Sequence, residues 1–230
     1  MNNVMLCSAT IGFVISLVTY GFGVWLHDKT KLDIMNPLLI SIALTIVILL
    51  ACKVDYKSYN DSAKYLSYLL TPATVCLAIP LYKQMALLKK NFRAILIGVL
   101  AGCLTSMGSV LIMSKLFRFS HADYVTLLPK SITTAIGMGV SEELEGIVTI
   151  TVAVIIITGV LGNVLADFVC KLFHITEPIA KGIGIGSAAH AIGTAKALEM
   201  GEVEGAMSSL SIAIAGILTV IMAPLFSGLY

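Results

Sequence analysis

Charge is what this sequence has least of. Only 12% of its 230 residues are Asp, Glu, Lys or Arg, while 58% are hydrophobic. A soluble domain carries about 25% charged and roughly 45–50% apolar residues. Half the usual charge cannot cover a water-facing surface, which excludes a soluble globular domain and a disordered chain. A nucleic-acid binder needs a basic stripe; the net charge here is +2, and no nucleic-acid partner is expected.

Paired cysteines are missing too. Cys7, Cys52, Cys76, Cys103 and Cys170 lie far apart in apolar stretches, with no C-x-x-C among them. Neither a disulfide framework nor a zinc site is indicated, and the five read as small packing residues. H-E-x-x-H and G-x-S-x-G are absent, as are the metal and acyl-transfer chemistries they serve. Ser187 and His190 stand three apart, but no third group is evident to orient them as a hydrolytic pair. The chain is therefore not expected to be an enzyme or to carry a metal or cofactor. Met1-Asn2-Asn3 brings no Lys or Arg ahead of the first apolar run. A cleaved signal peptide needs a basic start, so that run reads as a retained span.

What is present is apolar length. The mean hydropathy is +0.97, and at about 20 apolar residues per crossing the chain is nearly all membrane. Strand alternation is absent, which points to a helix bundle and not a barrel. Residues 1–26, 34–52, 66–82, 94–114, 146–166 and 205–230 lack Asp, Glu, Lys, Arg and His altogether. The prediction is an all-α polytopic bundle of about six long transmembrane helices in the bilayer. The stretch 66–82 is short and holds Pro72 and Pro80. Each proline removes a backbone donor, so a break is expected near Thr71-Pro72.

Two further stretches, 129–140 and 178–195, are too short to cross alone. Each opens with a proline suited to a first helical position and is rich in Gly, Ser and Thr. Such lengths fit re-entrant or half helices, and irregular backbone at membrane depth persists only where protein or a wet cavity satisfies it. A weak repeat accompanies them. Pro72 leads to Lys115-Leu116-Phe117, Pro129 leads to Lys171-Leu172-Phe173, and Pro178 opens a third stretch ending near Pro224. The chain thus reads as one integral membrane domain, 1–230. Two spans occupy 1–65, and proline-led units occupy 66–120, 121–175 and 176–230. Paired interrupted segments are a pointer to a transporter's binding site.

Charge is unevenly placed. Residues 1–120 hold eleven Lys/Arg and four acids, and residues 121–230 hold four Lys/Arg and nine acids. The basic segment 83–93 is expected in the cytoplasm, which puts the N-terminus outside. If 171–177 is also cytoplasmic, the short stretches re-enter; if it lies outside, they cross.

The candidate site follows from these breaks. A half helix starting at mid-membrane aims free N–H groups and a positive dipole end at what lies there. Lys130, Ser131, Thr133 and Thr134 would add an ammonium and hydroxyls suited to a carboxylate, with Thr71, Thr74, Gly193 and Thr194 at the other broken segments. Ser and Thr also pack helix against helix. Glu177 and His190 are candidate proton-coupling groups, or a helix N-terminal charge and a bonded core histidine. Asn163 reads as part of a polar path or as an interhelical hydrogen bond. Glu142, Glu143 and Glu145, like Glu199, Glu202 and Glu204, read as acids ahead of a helix start. No strand precedes Gly182, Gly184 and Gly186, so close helix approach explains them better than a dinucleotide loop.

Several runs, in order, resemble the LrgB/CidB family. They are Leu128-Pro129-Lys130-Ser131-Ile132-Thr133-Thr134, Glu177-Pro178-Ile179-Ala180-Lys181-Gly182, and His190-Ala191-Ile192-Gly193-Thr194-Ala195-Lys196-Ala197-Leu198-Glu199. Gly201-Glu202-Val203-Glu204-Gly205-Ala206, Leu70-Thr71-Pro72-Ala73-Thr74-Val75 and Leu81-Tyr82-Lys83-Gln84 fit as well. The resemblance covers essentially the whole chain. One departure is Ala135, where the family often has proline.

The resemblance implies a multi-pass protein of the bacterial plasma membrane, of the antiholin-like or autolysis-modulator kind, linked to murein hydrolase activity. It implies a small holin-like partner of the LrgA/CidA type, with a homo-oligomer also open. Pyruvate, glycolate and glycerate transport is associated with the same family. Two functions follow: a secondary transporter of small monocarboxylates, or a regulator of lysis that transports nothing.

Overall fold

A computed structural model describes residues 10–30, 37–69, 72, 75–76 and 78–230. Among these residues there is no strand. The chain divides into two compact units, Met1–Cys76 and Leu77–Tyr230.

In the first unit, α1 (Ile11–Thr30) and α2 (Pro37–Ala51) are apolar, and α3 (Tyr56–Tyr68) is amphipathic. Small groups let the helices meet. Thr19 Oγ1 lies 3.0 Å from Ser41 Oγ and 3.1 Å from Thr45 Oγ1. The first-turn N–H of Gly12, which has no helical acceptor, donates to Ser62 Oγ at 3.1 Å. Ser16 and Tyr59 share a 2.6 Å hydrogen bond. The helix α3 was not foreseen; its Ser62 packs on α1 while Lys57 and Lys64 stay exposed.

The second unit runs α4 (Ala78–Lys83), α5 (Met85–Phe117), α6 (His121–Leu127), α7 (Thr134–Glu143), α8 (Val148–Leu172), α9 (Pro178–Met200) and α10 (Glu202–Ser227). With α1, the helices α5, α8 and α10 are long and apolar enough to cross a membrane. Their outward residues include Ile97, Ile112, Ile157, Leu161, Ile217 and Leu225. Such a surface is untenable in water and matches lipid, so this is a multi-pass membrane protein with the bilayer as its surroundings. The apolar stretch 66–82 is divided between the end of α3 and α4, and the expected break at Thr71, with Thr74, lies outside the described residues.

The two short stretches differ in detail from expectation. Pro129 does not open a helix. It lacks the N–H that would continue α6, so the chain turns through i→i+3 bonds, Lys130 N to Leu127 O and Ile132 N to Pro129 O. The second arm starts at Thr134 behind an extended Thr133. Ala135 falls in that first turn, where proline is also tolerated. Pro178 does stand at the first position of α9, but α9 continues to Met200 through a break at His190, whose φ is 42° and ψ −141°. Glu142 and Glu143 end α7 and do not start α8.

Both segments fold back. Ile185 and Gly193 would be about 12 Å apart in a continuous helix, yet a methyl on Gly193 would lie 3.0 Å from Ile185 Cγ2. Residues 178–189 and 191–200 therefore form a hairpin whose tip is His190. Residues 121–143 form another. Thr126 and Ser141, on its opposite arms, both meet Thr151: Thr151 Oγ1 donates to the Thr126 carbonyl at 2.9 Å and lies 2.7 Å from Ser141 Oγ. Each hairpin is followed by a long helix that starts at the hairpin's own base.

The bases lie at opposite ends. The first hairpin's base packs on the C-terminal end of α10, where Tyr124 donates to the Phe226 carbonyl at 2.8 Å. The second's base packs on the N-terminal end, where Glu204 and Met207 crowd Gly182. The two hairpin-plus-helix units are thus inverted relative to each other.

Candidate functional site

The tip of the first hairpin and the 178–189 arm of the second converge on one cavity of about 530 Å³. Thr105, Ser106 and Ser109 line it from α5, Thr158 and Gly162 from α8, Lys130 and Ser131 from the first tip, and Gly184, Ser187 and Ala188 from α9. Apart from Ser109 and Gly184, these residues fall near the middle of their helix or hairpin. Helices that span the bilayer therefore hold the cavity at mid-depth.

The first tip supplies the polar groups. Lys130 Nζ donates to Ser131 Oγ at 3.2 Å, and Ser131 Oγ lies 2.9 Å from Ser106 Oγ. No carboxylate lines the cavity, and among the described residues Lys130 forms no ion pair. A cation at membrane depth without a partner is costly, and a bound anion would relieve that cost. Thr133 and Thr134 stand at the start of α7, so the first free N–H groups of that helix lie at the same tip. Neither threonine is a wall of the cavity.

The second tip is braced. His190 is buried, and its Nε2 donates to the Ile155 carbonyl at 3.0 Å. Gly159 makes room for the ring, since a methyl there would lie 2.7 Å from His190 Cε1. Asn163 Nδ2 donates to the Ile192 carbonyl at 2.7 Å. Thr194 Oγ1 donates to the His190 carbonyl at 3.0 Å and meets Ser208 Oγ at 2.7 Å. Gly193 admits Ile185.

The remaining candidates have these places in the structure. His190, Asn163, Gly193 and Thr194 hold the shape of the tip and do not line the cavity. Glu177 is exposed at the base of the second hairpin, as the N-cap of α9, and not at membrane depth. Ser187 donates to the Ile183 carbonyl at 2.7 Å, so its hydroxyl and the His190 ring serve different partners. Sequence reasoning missed Thr105, Ser106, Ser109, Thr158 and Ser187. The run Thr105-Ser106-Met107-Gly108-Ser109, polar and small in the middle of an uncharged span, was the signal available. Among the described residues, no His, Cys, Asp and Glu side chains cluster as a metal site would require.

The LrgB-like family matches residues 16–229. Proteins named antiholin-like protein LrgB from Bacillus mycoides (strain KBAB4), Bacillus cereus (strain B4264) and Bacillus anthracis (strain CDC 684 / NRRL 3495) are similar. Each is 38% identical over 216 residues, covering 94% of this chain and 94% of the relative. No solved structure gives a significant match. With the family model and the relatives both covering nearly the whole length, the chain belongs to the LrgB-like family of membrane proteins.

Proposed function

We propose that the chain is a secondary transporter of small monocarboxylates, of the pyruvate, glycolate or glycerate kind. The observation that carries this reading is Lys130, an ammonium without a countercharge in a hydroxyl-lined cavity at mid-depth. One cation, and no second one on the walls, suits a ligand with one negative charge. The N–H groups at the start of α7 add dipole attraction for the same carboxylate. Ser131 and Ser106 would bond its oxygens.

Orientation follows from the bases. The second hairpin's end carries Lys83, Lys89, Lys90, Arg93, Lys171, Lys181 and Lys196, while the first hairpin's end carries Lys115 and Arg118. That asymmetry supports a cytoplasmic second base. Residues 171–177 and 83–93 are then on one side, as re-entry requires.

The test is uptake of labelled pyruvate, glycolate and glycerate into liposomes holding the purified chain. Saturable uptake, lost in Lys130→Ala, is expected. No uptake of any carboxylate would remove the proposal.

A second reading draws on the name of the relatives. Under it the chain is an antiholin-like regulator of murein hydrolases in the bacterial plasma membrane, acting with a small LrgA/CidA-type partner. Lysis control retained by a Lys130→Ala variant that moves no carboxylate would favour this reading.

A further inference from the structure

The glycines of Gly182-Ile183-Gly184-Ile185-Gly186 do not share one reason. A methyl on Gly182 would lie 2.6 Å from Met207 Cβ, and one on Gly186 would lie 2.8 Å from Ser208 Cα. Both face α10 and are needed for its close approach. A methyl on Gly184 meets nothing within 4 Å. Its backbone does not require glycine either, since no glycine among the described residues has a positive φ. Glycine inside a helix is unfavourable relative to alanine, so packing and conformation both leave Gly184 unexplained.

Its position suggests a reason. A second cavity, about 520 Å³, lies between α5 and residues 178–189. Its walls run from Glu177 and Ala94, at the base of the second hairpin, through Gly98 and Ala180 to Gly102, Gly184 and Ser187. Those last three residues also line the mid-depth cavity. The two spaces therefore meet at Gly184. Beside it α5 and α9 are in close contact, since a methyl on Gly102 would lie 2.8 Å from Ser187 Oγ.

We propose that Gly184 stands at the junction of a continuous aqueous route from the base of the second hairpin to the Lys130 cavity, kept clear by the missing side chain. The monocarboxylate cargo rests on the transport reading; the route itself does not.

Two arms of one experiment separate them. In a chain whose cysteines are replaced by alanine, single cysteines are placed at Ala180, Gly184 and Ile157. Ile157 faces outward from α8 and is 56% exposed. A membrane-impermeant methanethiosulfonate reacts with the thiolate, which forms only where water reaches, so Gly184→Cys and Ala180→Cys are expected to label about tenfold faster than Ile157→Cys. Labelling at Gly184 no faster than at Ile157 overturns the route.

In the second arm, Gly184→Val and Gly184→Phe should reduce pyruvate uptake in order of size, while Gly184→Ala, whose methyl meets nothing, should leave it near wild type, with melting temperature unchanged throughout. Gly182→Val and Gly186→Val should instead lower the melting temperature. Undiminished uptake by Gly184→Phe overturns the proposal. Fast labelling in a chain that transports no carboxylate upholds the route and removes the transport reading alone.

Discussion

Asn163 Nδ2 and the Ile192 carbonyl, 2.7 Å apart, join the middle of α8 to the first turn beyond the break at His190. The bond holds the return arm of the second hairpin beside the helix that precedes it. Asn163 is buried, so Asn163→Leu leaves the site dry but removes the donor. A loss of about 1–2 kcal/mol is expected, read as a lower melting temperature in detergent. An unchanged melting temperature would show that the tip holds its shape without this bond.

Gly159 makes a sharper case. Its missing side chain is the space His190 fills, so Gly159→Ala forces the ring away from the Ile155 carbonyl. Overpacking of this kind costs about 1–3 kcal/mol. The companion change His190→Gly should relieve part of it, since glycine fits the positive φ at that position. Equal stability of Gly159→Ala and wild type would remove the role assigned to the imidazole.

At the first tip, Ser131 and Ser106 should act as a pair. The single changes Ser131→Ala and Ser106→Ala each weaken carboxylate uptake, and their double-mutant coupling should be about 0.5–1.5 kcal/mol. Thr134→Ala, one turn away from the cavity walls, should have the smaller effect. Uptake more sensitive to Thr134 than to Ser131 would relocate the binding site to the start of α7.

Lys130 tests charge against shape. Lys130→Met keeps the length and removes the ammonium, and uptake should fall by at least about tenfold if the attraction is worth more than 1.4 kcal/mol. Lys130→Arg keeps the charge and should retain measurable uptake, with altered preference among pyruvate, glycolate and glycerate because the planar guanidinium grips a carboxylate differently. Full uptake by Lys130→Met would mean that the hydroxyls and helix N-termini suffice.

Much of this was legible in the residues. Prolines 129 and 178, with polar residues where a span should be apolar, announce interrupted segments, and Lys130 and Ser131 emerge from the first of them. What stayed hidden depends on tertiary contact. The break at His190 has no glycine or proline to mark it; it is imposed by bonds to Ile155 from one side and by the packing of Gly193 on Ile185 from the other. The walls from α5 are small hydroxyl residues that read equally well as packing until the tip of the first hairpin is seen beside them. Glu177 reads as membrane-embedded only if residues 178–195 are a half helix starting at mid-depth; the fold-back at His190 instead puts their N-terminus at the hairpin base.

Gly201 is the sole residue between α9 and α10. A one-residue link has no slack, so the return arm of the second hairpin and α10 must travel together. The same α10 touches the first hairpin along its length, through Ile136 at Gly216, the Tyr124 bond to Phe226 and the approach of His121 to Ser227. In mechanical terms α10 is a connecting rod: a displacement of one hairpin cannot remain local, and the other, at the opposite face of the membrane, feels it through a single stiff member.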